Sequence, residues 1–511
     1  MNIIIGVIFV FILLFLRHFY KRKSHPPGPL GFPIFGIFPY SITQIIFSKF
    51  MTNVSECEYF KQMRQKYGNI WSIETVGQRT ITLASFDIVH EAFVENGMLF
   101  SGCAQNSLME LFGNRHGILF ADGIIWKRNR HLAMKGLRYF GMGTSTMEKL
   151  ICEQADCLIK EIKQKSGIQI DPSKIFVKNI SNIINIVNFN EPNNENDPKF
   201  EKYVSCLDKI SNSHIKHIIF IWPSFFLSKL GRFLFPKVEE YVNAIYNNRR
   251  LVADKCMSRL KVFNQSSDLK CMFDYIWRNE DFIEDLNDQS YDVKLFNVIQ
   301  IMTDLQNAGT ETTYNLLRFC CLLLGRYPEV QDDLRNELQN LVEDSIQITL
   351  SLKNKCPKLL SFIDEVHRFC NLVPKSDHRV MKKCFFRGFD FYPSDMVFAD
   401  YNAIMFDENH FDNPQKFDPY RFLDETRTEY TPSKYLIPFG MGRRTCIGEN
   451  LSNMEIFLFL SRILYEFHIS LLNETVEHFT EILKGETGII HSCLNHELIF
   501  QSSGKVSSFI G

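Results

Sequence analysis

The sequence predicts one large, mainly helical domain with a small β region, set behind an apolar N-terminal segment. Three observations carry this. Val298 to Arg326 is the longest helical pattern in the chain. Trp71, Ile73 and Thr75 alternate ahead of Gly77, and Thr80, Thr82 and Ala84 alternate after it, which is the period of a hairpin. No Pro/Gly/Ser-rich linker, repeat or low-complexity tract interrupts the 511 residues, so one domain is preferred to the several that length alone suggests. Composition is ordinary for a globular chain, 45% hydrophobic and 23% charged. A formal net charge of −1 gives no support to a nucleic-acid partner or an acidic substrate. The 14 cysteines include no C-x-x-C pair, which leaves a zinc site or redox dithiol unsupported.

Ile3 to Leu16 is apolar, and Phe19 and Tyr20 extend the stretch to about 20 residues, roughly a bilayer span. Arg17, Lys21, Arg22 and Lys23 flank its C-terminal side, and no small-x-small cleavage site follows. Residues 1–20 are therefore read as a retained single-pass anchor with the body on the cytosolic side. Residues 21–36 form a basic, Pro-rich connector, stiffened by Pro26, Pro27 and Pro29. The body is residues 37–511.

Within the body, a helix from Tyr59 leads into the hairpin. Ser101 to Leu119 has no clear period and reads as a long loop. Trp126 and Arg130 stand at i and i+4 of a helical stretch and share a face. An aromatic and a guanidinium aimed together suit a carboxylate; for this pair alone a core indole beside a surface arginine is the preferred reading. Ile183, Ile184, Ile186 and Val187 mark a core helix, followed by Asn188-Phe-Asn-Glu-Pro and a polar loop. His214 to Phe235 is dense in aromatic and aliphatic residues.

Inside the long helix stands Asn307-Ala-Gly-Thr-Glu-Thr-Thr313. Ile301, Leu305, Ala308 and Thr312 share one face, apolar except for Thr312. Small Ala308 and Gly309 let a flat group lie against the backbone, while Glu311 can feed protons toward the same face. Gly309 could instead simply permit close helix packing, at about 1 kcal/mol. Further on, Glu365 and Arg368 sit at i and i+3, alone a surface pair worth little. His378 and Arg379 enter a strand-like stretch, as an exposed turn or as donors toward an anion.

The stretch that organises the rest is Pro438 to Glu449, with Gly440, Gly442 and Gly448 around Cys446. Backbone N–H groups, Arg443, Arg444 and the following helix N-terminus would favour a thiolate there. A thiolate so held suits a single axial ligand to haem iron. Phe439, Gly442, Arg444, Cys446 and Gly448 match F-x-x-G-x-R-x-C-x-G, and the loop resembles the haem-binding signature of the cytochrome P450 family. Ala308, Gly309, Glu311 and Thr312 are similar to the family's distal (A/G)-G-x-(D/E)-T helix, Glu365 and Arg368 to its E-x-x-R, and Pro419 to Phe422 to its P-x-R-F.

The resemblance covers essentially the whole chain, most closely microsomal drug- and lipid-oxidising members. It implies the P450 fold, mainly α with a small β region, around haem b with a cysteine thiolate ligand. Cys446 is then the iron ligand, shielded by Phe439, with Ala308 and Gly448 against the haem. Trp126, Arg130, Arg444 and His378, with Arg379 close behind, contact the propionates. Thr312 and Glu311 deliver protons to bound dioxygen, and Glu365, Arg368 and Arg421 lock the loop. Leu305, Ala308, Leu372, Val373 and Ile489 line the substrate pocket. The segment 214–235 corresponds to one that meets the bilayer at the substrate entrance. The implied activity is insertion of one oxygen atom into an apolar organic substrate. NADPH–cytochrome P450 reductase is the implied electron source, with cytochrome b5 as a second candidate donor, at the endoplasmic reticulum membrane. Lys127, Arg128 and Arg443 could form part of the docking patch or be solvated charges. A haem-thiolate isomerase or dehydratase, or a membrane-anchored haem sensor, would not need the Glu311–Thr312 pair.

Overall fold

In the computed structural model of this chain the described residues are 24–29, 56–75, 78–103, 107–193, 197–211, 219, 226–279, 291–342, 348–472, 475–487 and 490–503. The main elements are α1 (Glu56–Tyr67), β1 (Ile70–Thr75), β2 (Gln78–Leu83), α2 (Gly123–Tyr139), α3 (Ser145–Lys163) and α4 (Ser173–Phe189). They continue with α5 (Pro198–Ser211), α6 (Pro236–Val262), α7 (Tyr291–Arg326), α8 (Pro357–Cys370), β3 (Lys375–Arg379), β4 (Met396–Asp400) and α9 (Glu449–Glu466). Local chemistry sets several boundaries. Asp122 accepts from the Gly123 N–H at the start of α2, and Pro236 and Pro357 open α6 and α8. Asn190 and Asn371 end α4 and α8 in the left-handed region, at φ 58° and 40°.

Residues 315–324 of α7 are buried all round and apolar except for Asn315 and Arg318: Leu317, Phe319, Leu322 and Leu323 have no exposed surface. The helix packs against α4 and α9, which together with α3 form the main core. The hairpin expected at 71–84 is β1 against β2, with Trp71 opposite Thr82. It grows into a four-stranded sheet because β2 pairs in parallel with β4, and β4 pairs antiparallel with β3.

Two expectations are corrected. The loop read over 101–119 contains a helix, Ser107–Gly113, too short to stand on its own propensity. Burial decides it: Leu108 and Met109 join the apolar cluster of Tyr241, Val242 and Ile245 on α6. The Pro-rich connector is docked rather than a free spacer. The Pro27 carbonyl accepts from the Ser72 N–H (2.7 Å) and the Pro26 carbonyl from the Ser72 hydroxyl (2.8 Å). The apolar run 1–20 lies outside the described residues, among which no helix is long and apolar enough to cross a membrane. Of the segment 214–235, Ile219 and Phe226 are buried, whereas Leu230, Phe233 and Leu234 are exposed.

Candidate active site

The Cys446 loop folds on its own backbone. The Cys446 N–H donates to the Phe439 carbonyl (2.9 Å), and the Gly448 N–H points at the Cys446 sulfur (3.3 Å). Gly442 has φ 76°, and a Cβ there would overlap the Phe93 carbonyl, so the turn admits only glycine. The same freedom is not used at Gly448, where a Cβ would meet only the Cys446 sulfur, at 3.8 Å. Phe439 lies edge-on to buried His367, ring centroids 5.3 Å apart.

This loop is pinned to the long helix. The Thr313 hydroxyl of α7 donates to Glu455 Oε2 (3.1 Å) and lies 3.4 Å from Ser452 Oγ. Both partners are on α9, which starts three residues after Cys446. Thr312 is adjacent to Thr313, and its hydroxyl donates to the Ala308 carbonyl (2.8 Å). Ala308 is exposed although its helical neighbours Asp304, Gln306 and Thr310 are buried. Cys446 is exposed too, yet surrounding protein pushes its thiol up from the ordinary 9.0. The Cys446 sulfur is thus accessible yet enclosed by protein, and Ala308 is an accessible small residue one turn before Thr312.

Sequence reasoning placed two groups differently. Gly309 packs against α4: a Cβ there would come within 2.7 Å of Ile184, so its smallness serves helix packing. The cation that acts on the Cys446 sulfur is Arg130, which favours the thiolate without overcoming desolvation. The Arg130 Nη2 donates to the Thr445 carbonyl (2.7 Å). Arg444 instead turns to the Trp126 ring, 4.5 Å from its centroid, and donates to the carbonyls of Ser101 (2.7 Å) and Ala121 (2.8 Å). Burial holds both guanidiniums below their usual range, and Arg444 repels Arg130. Two buried cations with mostly carbonyl partners make a site that attracts anions.

His378 is buried rather than in an exposed turn. Its ring stacks on Phe93 at 3.8 Å and its Nδ1 donates to the Phe100 carbonyl (2.8 Å). Burial pulls its pKa down to about 4, so it is neutral and its Nε2 is an acceptor until a second proton is taken up. Arg379 is committed to Asp122 and to the Cys103 and Pro393 carbonyls. Leu372 is buried, Leu305 and Val373 are half-buried, and Ile489 lies outside the described residues.

Behind the loop, Glu365 takes Arg368 Nε and Nη2 at 2.7 and 2.8 Å, Arg421 Nε at 3.0 Å and the Asp418 N–H at 2.9 Å. The Arg368 Nη1 donates to the Met405 and Pro414 carbonyls, both at 2.9 Å. The three side chains that the motifs named are thus one buried cluster.

The sequence profile described as Cytochrome P450 matches residues 26–492. The chain belongs to the cytochrome P450 family. It is 29% identical over 483 residues to cytochrome P450 2C50 of Mus musculus, covering 92% of this chain and 94% of that one. It is 30% identical over 452 residues to cytochrome P450 2H1 of Gallus gallus, covering 88% of each. With cytochrome P450 2C16 of Oryctolagus cuniculus it shares 29% over 486 residues, 93% and 94% of the two chains. It is a cytochrome P450 monooxygenase, and the family uses haem b with a cysteine thiolate axial ligand.

The residues present fit that group. An accessible thiol enclosed by protein and an accessible alanine on the helix tied to its loop suit an apolar disc with one thiolate ligand, and Arg130 and Arg444 suit its two carboxylates. The Thr313–Glu455 tie escaped the motifs. Its signal was one acid inside the apolar run Met454-Glu-Ile-Phe-Leu-Phe-Leu460.

Proposed function

We propose that this P450 monooxygenase acts on an apolar organic compound, a xenobiotic, fatty acid or steroid-like molecule, with electrons from NADPH. NADPH–cytochrome P450 reductase would deliver them, with cytochrome b5 as a second donor. In this reading Cys446 holds the iron, and Phe439, Gly448 and Ala308 bound the haem faces. Arg130, Arg444 and Trp126 hold the propionates, with His378 joining once doubly protonated. When bound, haem supplies the reduction and splitting of dioxygen, one atom going to substrate and the other to water.

The chain's own part is proton placement. The Thr312 hydroxyl rests its proton on the Ala308 carbonyl, which leaves its lone pairs to hold a water at the open face. Glu311 exchanges protons with solvent and passes them to that water. Leu305, Ala308, Leu372, Val373 and Ile489 supply apolar walls for substrate. Glu365, Arg368 and Arg421 keep the Cys446 loop in register without touching reactants.

Residues 1–20 would anchor the protein once in the endoplasmic reticulum membrane, 21–36 connect, and 37–511 form the catalytic domain on the cytosolic side. Support comes from the basic flank of the apolar run and from the exposed Leu230, Phe233, Leu234 and Phe235 on one surface segment. Lys127 and Arg443 are exposed and, with Arg128, are the candidate docking charges for an acidic reductase face.

The observation that carries the reading is an accessible thiol, Cys446, with the Gly448 N–H on its sulfur, in a loop tied to the helix of Ala308 and Thr312 through Thr313 and Glu455. The test is the reduced, carbon-monoxide spectrum of purified protein. The native chain should show the red-shifted Soret band of a thiolate-ligated haem, and Cys446→Ser should abolish it. An unaltered band in the variant rejects the assignment.

A further inference from the structure

The reaction above leaves a stripe of buried amides on α4 without a task. Asn179, Asn182, Asn185 and Asn188 recur at every third position, and all four are buried. Amides persist inside a core only when their hydrogen bonds are made. Asn179 and Asn182 bond to Glu161 and Gln154 of α3, while Asn185 and Asn188 turn the other way. Asn185 Nδ2 donates to the Glu191 carbonyl (2.8 Å), and its Oδ1 accepts from Lys255 Nζ of α6 (2.7 Å). Asn188 Nδ2 donates to Gln306 Oε1 of α7 (3.3 Å).

Asn185, Lys255 and Gln306 wall a cavity of about 200 Å³ between α4, α5, α6 and α7. Its lining grades from outside inward: Glu191, Lys199 and Asp254 are exposed, Asp197 and Lys255 half-buried, Tyr203 and Gln306 buried. Tyr203 stands at the inner end. Its hydroxyl lies 3.2 Å from both the Gln306 carbonyl and Asn307 Oδ1. The Thr310 hydroxyl and the Glu311 carboxylate are near enough to act on the same phenol. Asn307 Nδ2 in turn donates to Asn248 Oδ1 (2.9 Å). Asn248 is 1% exposed, and its Nδ2 has no partner among the described residues. Tyr203 lines the cavity and is joined through Asn307 to that unsatisfied amide, and a roomy polar cavity of this kind is where ordered water belongs.

We propose that this cavity is the water inlet through which protons reach Glu311, with the Tyr203 hydroxyl as its inner relay. A hydrated proton in the cavity adds to the Tyr203 oxygen as Tyr203 releases its own proton, through an intervening water, to the Glu311 carboxylate. One proton moves inward, Tyr203 ends as it began, and no electron is transferred. Burial pushes the Tyr203 phenol far above its ordinary range. It therefore never stands as an isolated phenolate and passes a proton only by this simultaneous exchange. The inference rests on the reading of Glu311 and Thr312 as the proton-delivering pair.

The experiment compares Tyr203→Phe with Thr312→Ala in the full-length, haem-loaded protein with reductase and NADPH. Tyr203→Phe keeps the ring and removes only the hydroxyl. It should lower product formed per NADPH by about threefold, less than the ~100-fold expected for a primary acid–base group, because water partly substitutes. Hydrogen peroxide release and the solvent deuterium isotope effect should rise, while haem content and the substrate-induced spectral shift stay as in the native protein. A crystal structure of the loaded protein should show ordered water from Lys255 to the Tyr203 hydroxyl. A dry cavity overturns the proposal. So does unchanged coupling in Tyr203→Phe when Thr312→Ala uncouples, and the proton-delivering pair then stands. If neither variant uncouples, the pair and the inlet both fall.

Discussion

Two groups of buried charge flank the Cys446 loop. In one, Glu365 and Arg368 have no exposed side-chain surface, and Arg421, the Asp418 N–H and backbone carbonyls satisfy them with near-ideal geometry. In the other, Arg130 and Arg444 are desolvated, lean on backbone carbonyls and repel one another. The first cluster is complete without any ligand and holds a shape. The second bonds mainly to backbone carbonyls, and Asp122, which acts on Arg444, is itself bonded to Arg379, so the pair reads as a receptor for an anion. Burial is common to both; what separates structural from ligand-facing charge is whether the chain supplies the partner.

The comparison breaks most visibly at Glu365. Glu365→Ala strands a buried guanidinium, at a cost of about 3–5 kcal/mol, a large share of the ~5–15 kcal/mol that holds a domain together. Haem-to-protein ratio and thermal unfolding should both collapse; a variant with native haem content would remove the structural role. Arg130→Met should behave oppositely. The haem-free protein should change stability by no more than about 1 kcal/mol, since an imperfectly paired buried charge is replaced by carbon. Haem transfer to apomyoglobin should nevertheless accelerate. Equal losses of fold and haem would erase the distinction between the clusters.

Gly309→Ala tests the packing side of α7. The new methyl meets Ile184 at 2.7 Å, and overpacking of this kind costs about 1–3 kcal/mol. Ile184→Val should recover part of it; absence of rescue would count against that packing role. The smallest effect concerns pH. Burial raises the Glu455 carboxyl from its ordinary 4.5 to about 8. Below about 4.5 folded and unfolded chains both hold this proton. Between about 4.5 and 8 only the folded chain does, so this group makes stability fall as pH rises, and above about 8 its slope vanishes. Glu455→Gln should flatten that part of the stability–pH curve, measured by denaturant titration. An unchanged curve would place the proton elsewhere.

Much of this site was legible in the residues themselves. Phe439 to Gly448 is contiguous, and a contiguous motif carries its own geometry. Its backbone turn and the N–H on the sulfur follow from glycine spacing. Ala308 and Thr312 share a face because helical period puts them there. Contacts across the fold were less legible. Arg130 and Arg444 are 314 positions apart, and only packing determines which one acts on the Cys446 sulfur. His378 sits in a strand whose partner, β4, begins 17 residues later, so its burial and its neutral state were invisible locally.

By itself the sequence determined the family, the turn of the Cys446 loop, the long helix α7 and the Glu365–Arg368 pair, because each is written in short-range spacing that backbone geometry converts directly into position; Arg421, 56 positions beyond Glu365, came only with the resemblance. Tertiary structure alone decided that Gly309 serves α4, that His378 is held neutral, and that Asn185, Lys255, Tyr203 and Gln306 meet around a polar cavity. Those outcomes depend on which surfaces meet and how much water they exclude, and desolvation is a property of the assembled interior that no local pattern contains.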